Sequence, residues 1–119
     1  MTLRKKLRNI PPSWRAVVAM WHEELSFKLQ VIFGSLILIV SWAFHISKIE
    51  LLMVLLAIGA VLAVEALNTA IEELCDHVTP SEHPQIGKIK DLGSAASGLI
   101  GLAAILIGLI IFVPHIFSL

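Results

Sequence analysis

The chain has 119 residues, 57% of them hydrophobic and 15% charged, with nine basic and nine acidic side chains that cancel. Soluble domains carry roughly 25% charged residues, so this composition excludes an ordinary water-soluble domain, and no nucleic-acid partner is expected. The single cysteine, Cys75, excludes an internal disulfide.

Arg4, Lys5, Lys6, Arg8 and Arg15 crowd the start of the chain. They run into Pro11-Pro12 and not into a short apolar core with a small-residue cleavage site, so no cleavable signal peptide is expected. Residues 13–26, "SWRAVVAMWHEELS", predict a helix lying on the membrane surface. Trp14, Val17, Val18, Trp21 and Leu25 share one face at helical spacing, and Arg15, His22 and Ser26 share another. Ser13 is the expected N-cap, just after the two prolines.

Three stretches follow that are long enough to cross about 30 Å of hydrocarbon, which takes about 20 helical residues. They are expected over 27–46, 51–76 and 88–113, with residues 1–26 as the tail and surface helix of a single membrane domain. Backbone polar groups find no partner in lipid, so each span must be helical. The polar loop "DHVTPSEHPQIG", with two prolines, separates the second span from the third. Basic residues concentrate in the first 15 positions and at Lys88 and Lys90, whereas the turn "HISKIE" holds only Lys48. The N-terminus and the 77–90 loop are therefore expected in the cytoplasm. In the third span Gly93, Ser97, Gly101, Ala104 and Gly108 fall within an arc of about 80°, a stripe that favours close helix packing in lipid.

The chemistry concentrates on the second span. Glu65, Asn68, Glu72 and Asp76 stand at i, i+3, i+7 and i+11, one polar stripe on an apolar cylinder. Glu65 and Glu72 are separated by about 10 Å at about 1.5 Å per residue. The deeper carboxylate can accept a proton, and the shallower can hold a hard cation at the water boundary. Glu24, at the junction of the surface helix and the first span, is expected at the level of Glu72, so the two could share a metal. Lys90 and Asp91 begin the third span on the same side, where a lysine suits phosphate. A purely structural Glu65, bonded to a neighbouring helix with Asn68 as glue, is the plainer reading, but ionisable groups inside membranes more often mark function. The chain has no phosphate-binding Gly-x-x-x-x-Gly-Lys-Ser/Thr loop, no protein-kinase glycine loop, no Gly-x-Ser-x-Gly elbow and no His/Cys pair with zinc spacing.

The segment "EALNTAIEELCDHVTPSEHPQIGKIKDLGSAA", together with "WRAVVAMWHEELSFK" and the three-span layout, resembles the prokaryotic diacylglycerol kinase family, small membrane lipid kinases that include undecaprenol kinases. The resemblance implies an all-α membrane protein, a surface helix plus three transmembrane helices, assembling as a homotrimer with sites between subunits in the bacterial inner membrane. It implies Mg2+ as cofactor, ATP as co-substrate and a membrane lipid as acceptor. Glu65 matches the catalytic base and Asn68 the asparagine beside it. Glu24 and Glu72 match the metal-binding carboxylates. Ser81, Glu82 and His83 fall on the ATP-contacting loop, and Lys90 and Asp91 on the phosphate- and nucleotide-binding pair. Lys5, Trp14 and Ser94 match positions on the lipid-substrate side. Gln30 stands where proteobacterial members tend to have an acid, Pro12 where they have an aromatic, and Lys5 where an arginine is usual. "VTPSEHP" resembles the branch that favours undecaprenol, and "KDLGSAA" the diacylglycerol branch.

The expected function is ATP- and Mg-dependent phosphorylation of diacylglycerol to phosphatidic acid, with undecaprenol as the alternative lipid. An oligomeric proton- or cation-coupled transporter is the alternative of another class. Against it stands the apolar run from Leu51 to Val64, where a conduit would need polar groups.

Overall fold

The structure is a computed structural model that describes Lys5, Arg8 and residues 11–78 and 83–118. The described residues form four helices and no strand: α1 Pro12–Glu23, α2 Leu25–Ala43, α3 Lys48–Val78 and α4 Pro84–Phe117.

Helix α1 starts differently from the expectation. Pro11 is the N-cap, its extended backbone dictated by the proline that follows, and Pro12 occupies the first helical turn. The amides of Trp14 and Arg15 both donate to the Pro11 carbonyl at 3.0 Å, so Ser13 caps nothing. No residue of α1 is buried, and on its apolar face Trp14, Val17 and Val18 are exposed, Trp14 at 59%. Such a face suits the headgroup boundary.

The surface helix also ends three residues sooner than expected, because Glu24 leaves helical geometry (φ −110°, ψ 106°). It sits between two helices as C-cap of α1 and N-cap of α2, its amide donating to the Met20 carbonyl at 2.8 Å. The Lys28 ammonium lies 5.2 Å from the centre of the Trp21 ring and ties the two helices across this hinge.

Helix α2 buries Phe27, Gly34 and Ser41, three positions seven residues apart, and it packs against α3. A Cβ on Gly34 would stand 3.1 Å from Ile58 Cγ2, so the missing side chain sets how closely the two helices approach. The helix ends in a Schellman turn: Ile46 N–H donates to Ser41 O, His45 N–H to Trp42 O, and His45 takes the left-handed conformation at φ 52°.

Ser47 and Glu50 then form a reciprocal capping box. The Glu50 amide donates to Ser47 Oγ at 3.1 Å, and the Ser47 amide to Glu50 Oε1 at 3.0 Å. The 31 residues of α3 measure about 46 Å, more than the hydrocarbon requires, and its last turns carry the exposed Glu72, Glu73 and Asp76. His83 caps α4, its Nδ1 accepting from the Gln85 amide at 3.1 Å, with Pro84 in the first turn. Helix α4 lies antiparallel to α3 and makes the most extensive packing in the molecule. At the end away from Glu65, His115 Nε2 lies 3.2 Å from Glu50 Oε1, and Phe44 packs against Phe112 and His115.

Helices α2, α3 and α4 are each long and apolar enough to cross a membrane. The molecule is only 20 Å through its thinnest direction, too thin to enclose a core. Phe27, Val54, Cys75 and Ile111 are its buried hydrophobic side chains among the described residues. Many leucines and isoleucines elsewhere are exposed, which costs nothing in hydrocarbon. A groove of about 580 Å3, apolar except at Gln30, runs between the three helices past Gly34, Ile58, Gly101, Ala104 and Gly108 to Phe112.

Candidate active site

Helix α3 carries Glu65 inward, where its residue is 8% exposed. Both carboxylate oxygens meet side chains of α2. Ser26 Oγ donates to Oε1, and Gln30 Nε2 lies 3.5 Å from Oε2, at the limit of a hydrogen bond. Ser26 and Gln30 are one helical turn apart, so they present neighbouring groups on one face. The break at Glu24 makes this possible. Ser26 belongs to α2 and turns toward α3, whereas residues 13–26 read as one surface helix assign it to that helix's polar side.

One turn above Glu65, Asn68 faces α4 at Gly93. A Cβ at position 93 would collide with Asn68 Oδ1 and come within 3.8 Å of Ile71. A side chain at 93 would force the Asn68 amide to shift, so glycine is favoured there by proximity rather than by backbone conformation. Among the described residues Asn68 Oδ1, Gln30 Oε1 and Ser97 Oγ are buried and have no hydrogen-bond partner. Ser97 lies one turn below Gly93 on antiparallel α4, about 6 Å, which brings it to the level of Glu65. The three membrane helices thus each contribute a buried polar atom, unpartnered among the described residues, within about one turn of the level of Glu65. Buried polar groups are normally bonded, so a cluster of exceptions is where a polar ligand atom would be received.

The layer above is charged. Glu72, Glu73, Asp76 and Asp91 are exposed. Lys90 Nζ pairs with Asp76 Oδ1 at 2.5 Å, with side chains 37% and 67% exposed. In that setting the pair adds little stability, but it fixes where the ammonium stands relative to α3. Glu24 is half-buried at the hinge, two residues before Ser26. Among the described residues the side chains of Glu24 and Glu72 form no hydrogen bond or salt bridge, although the charge of Glu72 is felt by Lys90, and carboxylate oxygens are the donors a hard cation takes, so the two residue types fit magnesium chemically. Among the described residues no group of three His, Cys, Asp or Glu side chains converges into a metal site.

The other anticipated positions are dispersed in the single chain. His83 is exposed and engaged as the α4 cap, Ser94 and Trp14 are exposed, and so is Lys5. Ser81 and Glu82 lie outside the described residues. Sequence reasoning passed over Ser26 and Gln30 as partners of Glu65. The signal was present: Ser26, Lys28 and Gln30 place three polar side chains in the first two turns of a largely apolar span, the same argument that singled out Glu65.

Residues 12–112 match the model of a family described as prokaryotic diacylglycerol kinase. An undecaprenol kinase of Bacillus subtilis (strain 168) is 32% identical over 114 residues, covering 96% of this chain and 93% of that protein. A diacylglycerol kinase of Escherichia coli (strain K12) is 27% identical over 103 residues, covering 87% and 84%. A diacylglycerol kinase of Pseudomonas aeruginosa (PAO1) is 30% identical over 94 residues, covering 79% and 76%.

Proposed function

This chain belongs to the prokaryotic diacylglycerol kinase family and is a multi-pass membrane lipid kinase, and from that premise we propose that it phosphorylates diacylglycerol to phosphatidic acid with Mg-ATP. The observation that carries the assignment of roles is the buried Glu65 with unpartnered polar atoms about it, below a layer of exposed acids and Lys90.

In this reading Glu65 is the general base. It takes the proton from the lipid hydroxyl as that oxygen attacks the γ-phosphorus of ATP, and ADP departs. The hydroxyl of a lipid whose tails remain in hydrocarbon sits just below the water line, the depth this reading gives Glu65, about two turns below the exposed Glu72. Asn68, one turn higher, orients the incoming groups. Glu24 and Glu72 would hold the magnesium ion, which when bound offsets the charge of the triphosphate. Lys90, presented by Asp76, contacts phosphate, and Asp91 with Ser81, Glu82 and His83 contacts the nucleotide. Ser94, Trp14 and Lys5 serve the lipid side. A homotrimer in the bacterial inner membrane, with its N-terminus and sites cytoplasmic, completes the reading. The basic N-terminal segment supports that orientation, and the open groove lined by Gly101, Ala104 and Gly108 supports close helix association.

Undecaprenol is the second reading. It is favoured by the higher identity to the Bacillus subtilis undecaprenol kinase, 32% against 27% for the Escherichia coli diacylglycerol kinase. Purified protein supplied with Mg-ATP and each lipid in turn distinguishes the two by product. Preferential phosphorylation of undecaprenol replaces the first reading with the second, and phosphorylation of neither lipid removes both.

A further inference from the structure

The two oxygens of Glu65 are not equivalent. Oε1 accepts a hydrogen bond from the Ser26 hydroxyl, whereas Oε2 has only the distant Gln30 amide at 3.5 Å. The reason Ser26 makes this bond lies in its own helix. The other two serines of α2 turn back on the helix: Ser35 Oγ donates to Val31 O at 2.9 Å and Ser41 Oγ to Ile37 O at 2.7 Å. That is the ordinary fate of a serine inside a helix. Ser26 stands in the first turn after the break at Glu24, so the residue four before it, His22, belongs to α1 and offers no carbonyl in register. Its hydroxyl is free to donate elsewhere, and the nearest acceptor is the acid that α3 places opposite.

We infer that Ser26 is a positioning residue for Glu65: by donating to Oε1 it holds the carboxylate in one orientation and leaves Oε2 as the oxygen that receives the proton. A glutamate side chain has three rotatable bonds, and among the described residues Ser26 and the distant Gln30 amide are its hydrogen-bond donors. A neutral donor on one oxygen fixes the plane of the carboxylate while keeping its charge for the other. Gln30, too far from Oε2 for a firm bond, does not compete with an incoming hydroxyl. The inference rests on the lipid kinase reading of Glu65, and its test separates the two.

Ser26→Ala is expected to lower kcat about tenfold with KM for Mg-ATP unchanged, and Ser26→Thr, which keeps the hydroxyl, to recover most of the loss. In a Glu65→Gln background Ser26→Ala should cause no further loss of residual turnover. An unchanged kcat in Ser26→Ala, or a threonine variant no better than alanine, overturns the inference and leaves the kinase reading standing. A second measurement does not depend on turnover. The carboxylate band of Glu65, identified in infrared difference spectra by its disappearance in Glu65→Gln, should shift in Ser26→Ala. A band that stays in place overturns the inference even if neither lipid is phosphorylated, an outcome that would remove the kinase reading by itself.

Discussion

Two glutamates on α3, about 22 Å apart along the helix axis, are each engaged by side chains from another element, and they are held in opposite ways. Glu50 is surrounded by donors. Its Oε1 accepts from the Ser47 amide, and His115 approaches both oxygens at 3.2 and 3.3 Å. Its side chain remains 30% exposed. Glu65 is almost fully buried, firmly bonded through one oxygen only, and accompanied by three polar atoms without partners. The first arrangement closes a capping box and joins α3 to α4. The second leaves hydrogen-bonding capacity unused where it is most expensive to leave unused. A satisfied network reads as architecture; an unsatisfied one, in a lipid kinase, reads as the place prepared for a substrate.

Substitutions at the two ends test the contrast. The largest effect is expected from Glu65→Gln, which removes the proposed base and should lower turnover by about three orders of magnitude while nucleotide binding, followed by calorimetry, persists. Gly93→Ala comes next. The added methyl displaces the Asn68 amide, and a misplacement of that size lowers kcat by up to about a hundredfold, with helix content by circular dichroism unaltered. Glu72→Gln should act on a different parameter, raising KM for Mg-ATP about tenfold through the loss of one charged oxygen donor. Equal loss of nucleotide affinity in Glu65→Gln and Glu72→Gln would erase the division of labour between buried base and exposed ligand. The smallest effect belongs to His115→Ala, which should lower the melting temperature slightly and leave kcat and KM as they are. A clear fall in kcat from that variant would show that the two ends are coupled and that the contrast is false.

Particular residues show where sequence reasoning reached and where it stopped. The stripe from Glu65 to Asp76 is visible because helical periodicity is a local property, and the three apolar stretches are visible because hydrocarbon thickness sets a length. Ser26 was assigned to the wrong helix because a single hinge residue, Glu24, leaves helical geometry, and neither its neighbours nor its own type announces that break. Ser13 reads as a cap by type, but a proline pair places the helix start two residues earlier. The partnership of Lys90 with Asp76 joins residues on facing ends of two helices across a loop, and no spacing rule along one element contains it.

Composition and period by themselves determined that this chain is an all-helical, three-span membrane protein with an acid embedded in its second span, because lipid leaves backbone and side chains so few alternatives. Only the tertiary structure decided which atoms meet that acid. The meeting of Ser26 and Gln30 with Glu65, and of Gly93 with Asn68, depends on where the chain bends and on how closely glycines let two helices approach, and contacts between separate helices are settled by packing rather than by any local rule.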